Sequence, residues 1–293
     1  MPYLLLTLTV LFWSGNFIFG RALSETVPPV ALSFWRWVIA LIFIFPFVIT
    51  SIIRQRTLII AYWKLLLLYG FSGVAGFSTL AYLGLTETTA INGILLNTSS
   101  PVFIILINRL FFRQAFTIRE CLGVIFAFFG VLSIVSRGDV ATIAKLTVQK
   151  GDFYILGGVL SWAIYTSLLR LRPSEMHPLT FLGSTISLGV LTIFPFFLFE
   201  ASRGKSIVLN GLAASGILYL ALFPSIVAYL FWNYAVEKVG PNRAGFFLYL
   251  MPVFGTILSR VLLKENLFYY HLLGIFCILC GIYLATLHRE KNP

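Results

Sequence analysis

The chain has 293 residues, of which 59% are apolar and 11% are charged, whereas about 25% of the residues in an average soluble domain are charged. This composition excludes an ordinary water-soluble fold, and the length accommodates about ten membrane-spanning helices of about 20 residues with short connections. The 21 Lys and Arg exceed the 10 Asp and Glu and give a formal net charge of +11. Because the basic residues are scattered between apolar runs and form no basic stripe, we expect contact with membrane lipids and no nucleic acid as a partner.

Ten apolar runs, bounded by charged residues, proline or glycine, predict ten membrane-spanning helices. In chain order the predicted spans are 3–22, 29–50, 64–85, 90–111, 119–136, 152–171, 178–199, 211–235, 242–262 and 269–287. They lack the two-residue alternation of a transmembrane β-strand, so they predict an all-α membrane protein. The first run has neither a preceding basic residue nor a small-residue cleavage site, which favours a retained span over a removable signal peptide.

The distribution of Lys and Arg among the loops predicts the orientation. With the N-terminus in the cytoplasm, twelve of these residues fall in inside segments and eight in outside segments. Since cytoplasmic loops carry the excess of basic residues, we expect both termini in the cytoplasm.

The two halves of the chain are similar in sequence. The matched positions are Trp13 with Trp162 and Pro29 with Pro178 at an offset of 149 residues, and Pro101 with Pro252 and Gly123 with Gly274 at an offset of 151. These matches predict a first repeat at 1–136, a loop at 137–151 and a second repeat at 152–293. Because each repeat has five spans, an odd number, the second repeat enters the membrane from the opposite side. Such inverted repeats provide one conformation open to each side, as alternating access requires.

Several short motifs also resemble a known family. They are LFWSGNFIFGRAL in the first span, residues 28–32 before Arg36, SSPVF and LMPVF in the fourth and ninth spans, and residues 262–265 at the end of the ninth span. Together with the two five-helix units, they resemble the EamA branch of the drug/metabolite transporter superfamily over nearly the whole chain. The first repeat departs from the pattern, since Gln114 stands where the second repeat has Glu265.

The resemblance implies the main features of fold and function. It implies a ten-helix bundle with both termini cytoplasmic and a central cavity lined by the first, third, fourth, sixth, eighth and ninth helices. It also implies the export of amino acids or other small metabolites across a bacterial inner membrane.

Polar and aromatic side chains that share a helix face inside the spans are the candidates for contact with a solute. The predicted substrate-binding residues are Trp13, Asn16, Ser78, Tyr82, Asn97, Ser100, Trp162, Tyr165, Tyr229, Asn233 and Tyr249. Their hydroxyl, amide and indole groups suit a neutral or zwitterionic solute, because they form hydrogen bonds without a fixed charge. The alternative for each residue is a place at the membrane interface or a hydrogen bond between neighbouring helices.

Three further residues inside spans have two interpretations each. Pro101 and Pro252 are predicted hinges of two gates, with a static kink as the alternative. Arg36 is the one charged residue well inside a predicted span. Because we expect the second span to be peripheral, we expect Arg36 to reach lipid headgroups or a neighbouring helix, with an anchor for a solute's carboxylate as the alternative.

The sequence favours transport over other functions. His177, His271 and His288 are expected in separate loops or near the C-terminus, and no metal-ligand or nucleophile motif accompanies them, so we expect no catalytic residue, no metal and no cofactor. No acidic residue lies in the middle of a span, which favours facilitated movement or exchange over obligate proton coupling. We therefore predict a secondary transporter of small solutes, monomeric or homodimeric. The alternatives are a multidrug or lipid-type carrier of the same fold, a membrane-embedded enzyme and a channel.

Overall fold

A computed structural model describes residues 1–88, 90–115, 117–139, 148–263 and 268–287. In its first half the helices are α1 (Pro2–Ala22), α2 (Pro29–Arg54), α3 (Arg56–Ala61), α4 (Trp63–Glu87), α5 (Ala90–Asn97), α6 (Ser100–Phe112) and α7 (Ile118–Val135). In its second half they are α8 (Lys150–Leu168), α9 (Pro178–Ser202), α10 (Gly211–Val239), α11 (Pro241–Phe246), α12 (Leu250–Leu263) and α13 (Tyr269–Thr286). All regular secondary structure in these ranges is helical, so the predicted all-α class is confirmed.

Nine helical stretches of the described residues are long and apolar enough to cross a membrane. They coincide with the first eight predicted spans and the tenth. The region of the ninth predicted span, 242–262, is divided between α11, a 3-10 turn at Phe247–Tyr249 and α12. The chain is therefore a multi-span helical membrane protein, while the count of ten spans and the cytoplasmic termini stay predictions.

Two of the long helices contain a π-helical segment of seven residues. In α4 it is Gly70–Gly76 and in α10 it is Ala221–Val227, which are separated by the same 151 residues as Pro101 and Pro252. Such segments are rare and occur frequently at functional sites. In α10 the segment includes Pro224, which has no backbone N–H and interrupts the regular hydrogen bonding of an α-helix.

The helices pack mainly across the two halves of the chain. The first helix of each half, α1 or α8, packs against the helices that occupy the third and fourth spans of the other half. Likewise α2 packs on α9, and α7 packs on α13. The buried core therefore lies between the halves and is built from both of them.

Glycine permits a close contact between α7 and α13. A Cβ at Gly123 would lie 2.7 Å from the carbonyl oxygen of Gly281, and one at Gly130 would lie 2.6 Å from that of Gly274. Small residues allow membrane helices to approach closely enough for extensive van der Waals contact. On their outer faces both helices carry exposed apolar side chains, such as Phe129, as lipid contact requires.

Candidate functional site

An aromatic cluster occupies the centre of the bundle, where the two halves meet. Trp13 of α1 and Trp162 of α8, which match in the sequence repeat, pack edge to face with ring centroids 4.8 Å apart. Trp232 lies 5.1 Å from Trp13 and 5.5 Å from Trp162, and Tyr229 lies 6.1 and 5.5 Å from the same two rings. We call these four buried residues the tryptophan cluster. Edge-to-face geometry of this kind is favourable for aromatic side chains.

Backbone carbonyls of both π-helical segments bind the polar atoms of this cluster. The indole N–H of Trp13 donates to the carbonyl oxygen of Pro224 at 3.0 Å, and the hydroxyl of Tyr229 donates to that of Gly73. The altered hydrogen bonding of a π-helix is compatible with carbonyls that accept from side chains. The π segments therefore connect helices of one half to aromatic residues of the other.

Next to the tryptophan cluster lies a buried group of polar side chains around Arg36, here called the Arg36 cluster. The Nε of Arg36 donates to Ser225 Oγ at 2.6 Å, and its Nη1 donates to Asn16 Oδ1 at 2.7 Å and to Tyr82 Oη at 2.8 Å. Tyr82 donates in turn to Asn16 Oδ1 at 2.7 Å. The guanidinium carbon lies 5.0 Å from the centroid of the Trp37 ring, within the range of a cation–π contact.

The charge of Arg36 has no acidic partner in the described part of the chain. The residue is 1% exposed, and the ion pairs Lys150–Glu87, Arg172–Glu237 and Lys238–Glu237 do not include it. Burying a charge without a counter-ion costs free energy, even when neutral groups accept its hydrogen bonds. The Arg36 cluster is therefore electrostatically incomplete.

Of the two positions expected for Arg36, contact with neighbouring helices is confirmed, and contact with lipid headgroups is wrong. Ser33, Arg36, Trp37 and Ala40 are all buried in α2, and their spacing places them on one helical face. This face packs on α4 and on the π segment of α10, so the guanidinium lies inside the protein. The depth of Arg36 in its span was visible in the sequence, but the direction of its side chain was not.

A second tyrosine–asparagine pair lies at the equivalent place in the second half. The hydroxyl of Tyr165 donates to Asn233 Oδ1 at 2.8 Å. Tyr165 corresponds to Asn16 at an offset of 149, and Asn233 corresponds to Tyr82 at 151, so the pairing is the same with the residue types exchanged. The position equivalent to Arg36 holds Thr185, which is buried and neutral. The Tyr165–Asn233 pair therefore has no arginine beside it at that position.

The other predicted binding residues are also buried, but they belong to different surroundings. Ser78 Oγ accepts from the indole of Trp37 at 3.0 Å and thereby joins the Arg36 cluster to α4. The amide nitrogen of Asn97 lies 2.8 Å from the sulfur of Met251, and Ser100 donates to the Asn97 carbonyl at 2.7 Å. The hydroxyl of Tyr249 has no hydrogen-bond partner among the described residues.

A small cavity of about 60 Å³ lies between α1, the α5–α6 region and α12. Its lining consists of Ser14, Phe17, Ile18, Asn97, Met251 and Gly255. Asn97 is thus the predicted binding residue that borders this space.

Both predicted hinge prolines follow a break in a helix. Pro101 is the second residue of α6, after the interruption at residues 98–99, and Pro252 is the third residue of α12, after the 3-10 turn Phe247–Tyr249. The prolines therefore stand at the beginning of a helix, where a missing N–H is tolerated. Their role as hinges stays a prediction.

Sequence reasoning missed a buried polar network at the opposite end of the bundle, here called the Asn108 network. Asn108 Nδ2 donates to Asn242 Oδ1 at 2.9 Å, to Ser167 Oγ at 3.2 Å and to the Ile104 carbonyl at 2.8 Å. The network ties α6 of the first half to α8 and α11 of the second. Helical spacing places Asn108 on the same face of the fourth span as Asn97 and thereby indicated one member, whereas Ser167 and Asn242 gave no signal.

Antiparallel packing of α1 on α10 shows that the Arg36 cluster and the Asn108 network lie toward opposite ends. Thr9 donates to the carbonyl of Ala228, while a Cβ at Gly216 would touch Leu23, so the C-terminal end of α1 lies beside the N-terminal end of α10. Arg172, which follows α8 and the 3-10 turn Leu169–Leu171, pairs with Glu237, at the C-terminal end of α10, at 2.6 Å. We name the two ends of the bundle the Arg36 end and the Asn108 end.

The described residues contain no group of three or more His, Cys, Asp or Glu side chains that could hold a metal ion. Glu265 and His288 lie outside the described ranges. Gln114, which occupies the position equivalent to Glu265, accepts from Arg170 Nη2 at 2.5 Å.

Comparison with known proteins supports the interpretation of the fold. A protein of Archaeoglobus fulgidus named "Uncharacterized transporter" is 29% identical over 99% of this chain and 98% of its own length. "Uncharacterized transporter YetK" of Bacillus subtilis is 30% identical over 78% of this chain and 69% of its own length. A solved crystal structure with 17% sequence identity shares the fold, with a TM-score of 0.78 over 97% of this chain and 96% of the other.

The family assignment follows from a direct match to a family profile. The profile of the EamA-like transporter family matches residues 1–136 and 149–287, which include every predicted span. The protein is thus a multi-span membrane transporter, and its chain belongs to the EamA-like transporter family of the drug/metabolite transporter superfamily.

Proposed function

We propose that the protein is a secondary transporter of the bacterial inner membrane that exports small metabolites, above all amino acids or related neutral or zwitterionic solutes. Transport occurs by alternating access through the space between two inverted repeats, as facilitated movement or exchange. The observation that carries this proposal is the contact between Trp13 and Trp162, matching residues of the two halves, at the centre of the bundle.

The surroundings of this contact support alternating access. A tyrosine–asparagine pair lies on either side of it, Asn16–Tyr82 toward the Arg36 end and Tyr165–Asn233 toward the Asn108 end. A pseudo-two-fold relation between the halves makes an opening at one end energetically comparable to an opening at the other. With both termini in the cytoplasm, the Arg36 end faces outward and the Asn108 end faces the cytoplasm.

The side chains around the tryptophan cluster are suited to neutral or zwitterionic solutes. They provide hydroxyl and amide groups for hydrogen bonds and aromatic faces for apolar or cationic parts of a molecule. The buried acidic residue Glu200 accepts from the backbone N–H groups of Val30 and Ala31 at the beginning of α2, and it makes no hydrogen bond with the described residues of the tryptophan cluster. This arrangement favours a mechanism without a proton-binding carboxylate at the centre.

Counterflow into proteoliposomes tests the proposal. Vesicles are loaded with an unlabelled solute, and uptake of the labelled solute from outside is followed for amino acids, nucleosides, quaternary amines and sugar phosphates. A carrier gives transient accumulation above equilibrium, whereas a channel gives none. We expect accumulation of amino acids, without stoichiometric proton movement. Accumulation of quaternary amines alone supports a multidrug carrier, and absence of counterflow for the whole panel contradicts the proposal.

Matched tryptophan variants connect this assay to the site. Trp13→Ala removes the central contact and should abolish most amino-acid counterflow, because the solute loses its aromatic surface and the halves lose their packing. Trp63→Ala removes an exposed indole at the beginning of α4 and should leave counterflow unchanged. Equal loss in both variants contradicts a specific role of the tryptophan cluster.

A further inference from the structure

We propose that the Arg36 cluster recognises the carboxylate of the transported solute, so that a carboxylate is required for transport. This inference rests on the proposed function and narrows its substrate class to amino acids and related carboxylates. The argument combines the missing counter-ion of Arg36, the hydrogen bonds that it leaves unused, and the position of the guanidinium beside the tryptophan cluster.

The guanidinium is held in place by neutral groups. Its Nε and Nη1 donate to Ser225, Asn16 and Tyr82 at 2.6 to 2.8 Å, and the Trp37 ring lies against it. Trp37 is fixed in turn by its hydrogen bond to Ser78. These contacts orient the side chain but leave its full positive charge uncompensated.

Part of the guanidinium remains without a partner. An arginine side chain has five N–H donors, and the three hydrogen bonds of Arg36 use Nε and Nη1. The other terminal nitrogen, Nη2, makes no hydrogen bond with any residue that the structure describes. A carboxylate is the group best suited to bind the free Nη2, because its oxygens only accept hydrogen bonds and its charge is opposite to that of the guanidinium.

The position of Arg36 fits a solute that contacts both the guanidinium and the tryptophan cluster. Ser225 follows Pro224, whose carbonyl accepts from Trp13, and the Trp37 ring lies 5.1 Å from that of Tyr229. A carboxylate bound at Arg36 therefore lies next to the tryptophan cluster, which is available for the rest of the molecule. Since Thr185 replaces Arg36 in the other half, the carboxylate is anchored in one half only.

Three forms of the same solute test the inference in the counterflow assay: an amino acid, its amide, and the amine that results from loss of the carboxyl group. We expect the wild-type protein to prefer the acid by about tenfold to a hundredfold over both other forms, as is usual when a buried charged group loses its partner. Arg36→Gln should remove this preference, and Arg36→Lys should retain part of it. A merely structural role of Arg36 would lower the rates of all three solutes together and leave their ratio unchanged.

Arg21→Gln is the matched control. Arg21 donates to the carbonyl of Leu85 at the end of α1 and is exposed, so its replacement changes the net charge equally but should leave the ratio of acid to amide intact. Should Arg36→Gln fail to fold, Ser225→Ala is the second variant. It keeps the charge of Arg36 but removes the hydroxyl that orients Nε, so we expect a lower ratio of acid to amide transport.

The outcomes separate this inference from the proposed function. Transport of amides and amines as well as the acid by the wild-type protein overturns the inference and leaves the transporter in place. Transport of none of the solutes, including the whole panel above, overturns both. A ratio that survives Arg36→Gln also overturns the inference.

Discussion

A methyl group at Gly281 is expected to force α7 and α13 apart. A Cβ at this position would lie 2.6 Å from the Gly123 carbonyl oxygen and 2.8 Å from the Ala127 nitrogen. Both are backbone atoms that cannot rotate away, and ordinary contact begins near 3.4 Å, so the helices must separate locally by about 0.8 Å. Overpacking of this kind costs about 1–3 kcal/mol.

Gly255→Ala is the control for Gly281→Ala. No atom of a described residue outside its own stretch of α12 lies within 4 Å of a Cβ at Gly255. This glycine is also in a helix, so both variants share the gain in helix propensity of about 0.5–1 kcal/mol. At about 2–4 °C for each kcal/mol, Gly281→Ala should unfold about 2–12 °C below Gly255→Ala.

The assay is scanning fluorimetry of the detergent-solubilised protein at one fixed scan rate, because unfolding of such proteins is commonly irreversible. Equal unfolding temperatures for the two variants would refute the close crossing of α7 and α13.

Three further predictions concern polar contacts. Tyr165→Phe and Asn233→Ala should each lower the free energy of unfolding by about 1 kcal/mol. A double-mutant cycle should show a coupling of about 0.6–1.7 kcal/mol, and additive effects would contradict the hydrogen bond between the two side chains. Asn108→Ala should lower the free energy of unfolding by about 1–3 kcal/mol, because buried polar partners lose their hydrogen bonds; a neutral effect in thermal unfolding would contradict the network. Arg172→Gln breaks the partly exposed pair with Glu237 and should cost at most about 1 kcal/mol, decreasing with salt; a cost that is larger or independent of salt would contradict an exposed pair.

The membrane spans were predictable because length and hydropathy determine them. Nine apolar runs appear as long helices at nearly the predicted residues, since a span must cover the hydrocarbon thickness. The ninth run was harder to predict, because the 3-10 turn Phe247–Tyr249 interrupts it without any change in hydropathy.

The site was predictable in part. Helical spacing grouped Trp13 with Asn16 and Tyr229 with Asn233, and all of them are buried between the halves. The partners of these residues were not predictable, because spacing along one helix does not determine which neighbouring helix it faces. The π segments have no periodic signal either, although Gly70, Gly73 and Gly76 recur at intervals of three in one of them.

Arg36 shows what sequence reasoning lacked. A charged residue in a span can reach the interface or face the interior, and depth alone does not distinguish the two. The buried face that includes Ser33, Arg36 and Trp37 contains small, charged and aromatic residues. That composition is unusual for a lipid-facing helix surface and was the available signal.

Alternation between the two ends is the central claim, and thiol accessibility tests it most directly. Ser14, on the small cavity toward the Arg36 end, and Ser167, in the Asn108 network, are both buried. Each is replaced by cysteine in a chain whose own three cysteines are replaced by serine, and labelling by a hydrophilic maleimide is measured with and without Asn108→Ala. Loss of the Asn108 network should speed labelling at Ser167→Cys and slow it at Ser14→Cys. Labelling at Ser14→Cys that is unchanged or faster would contradict alternating access.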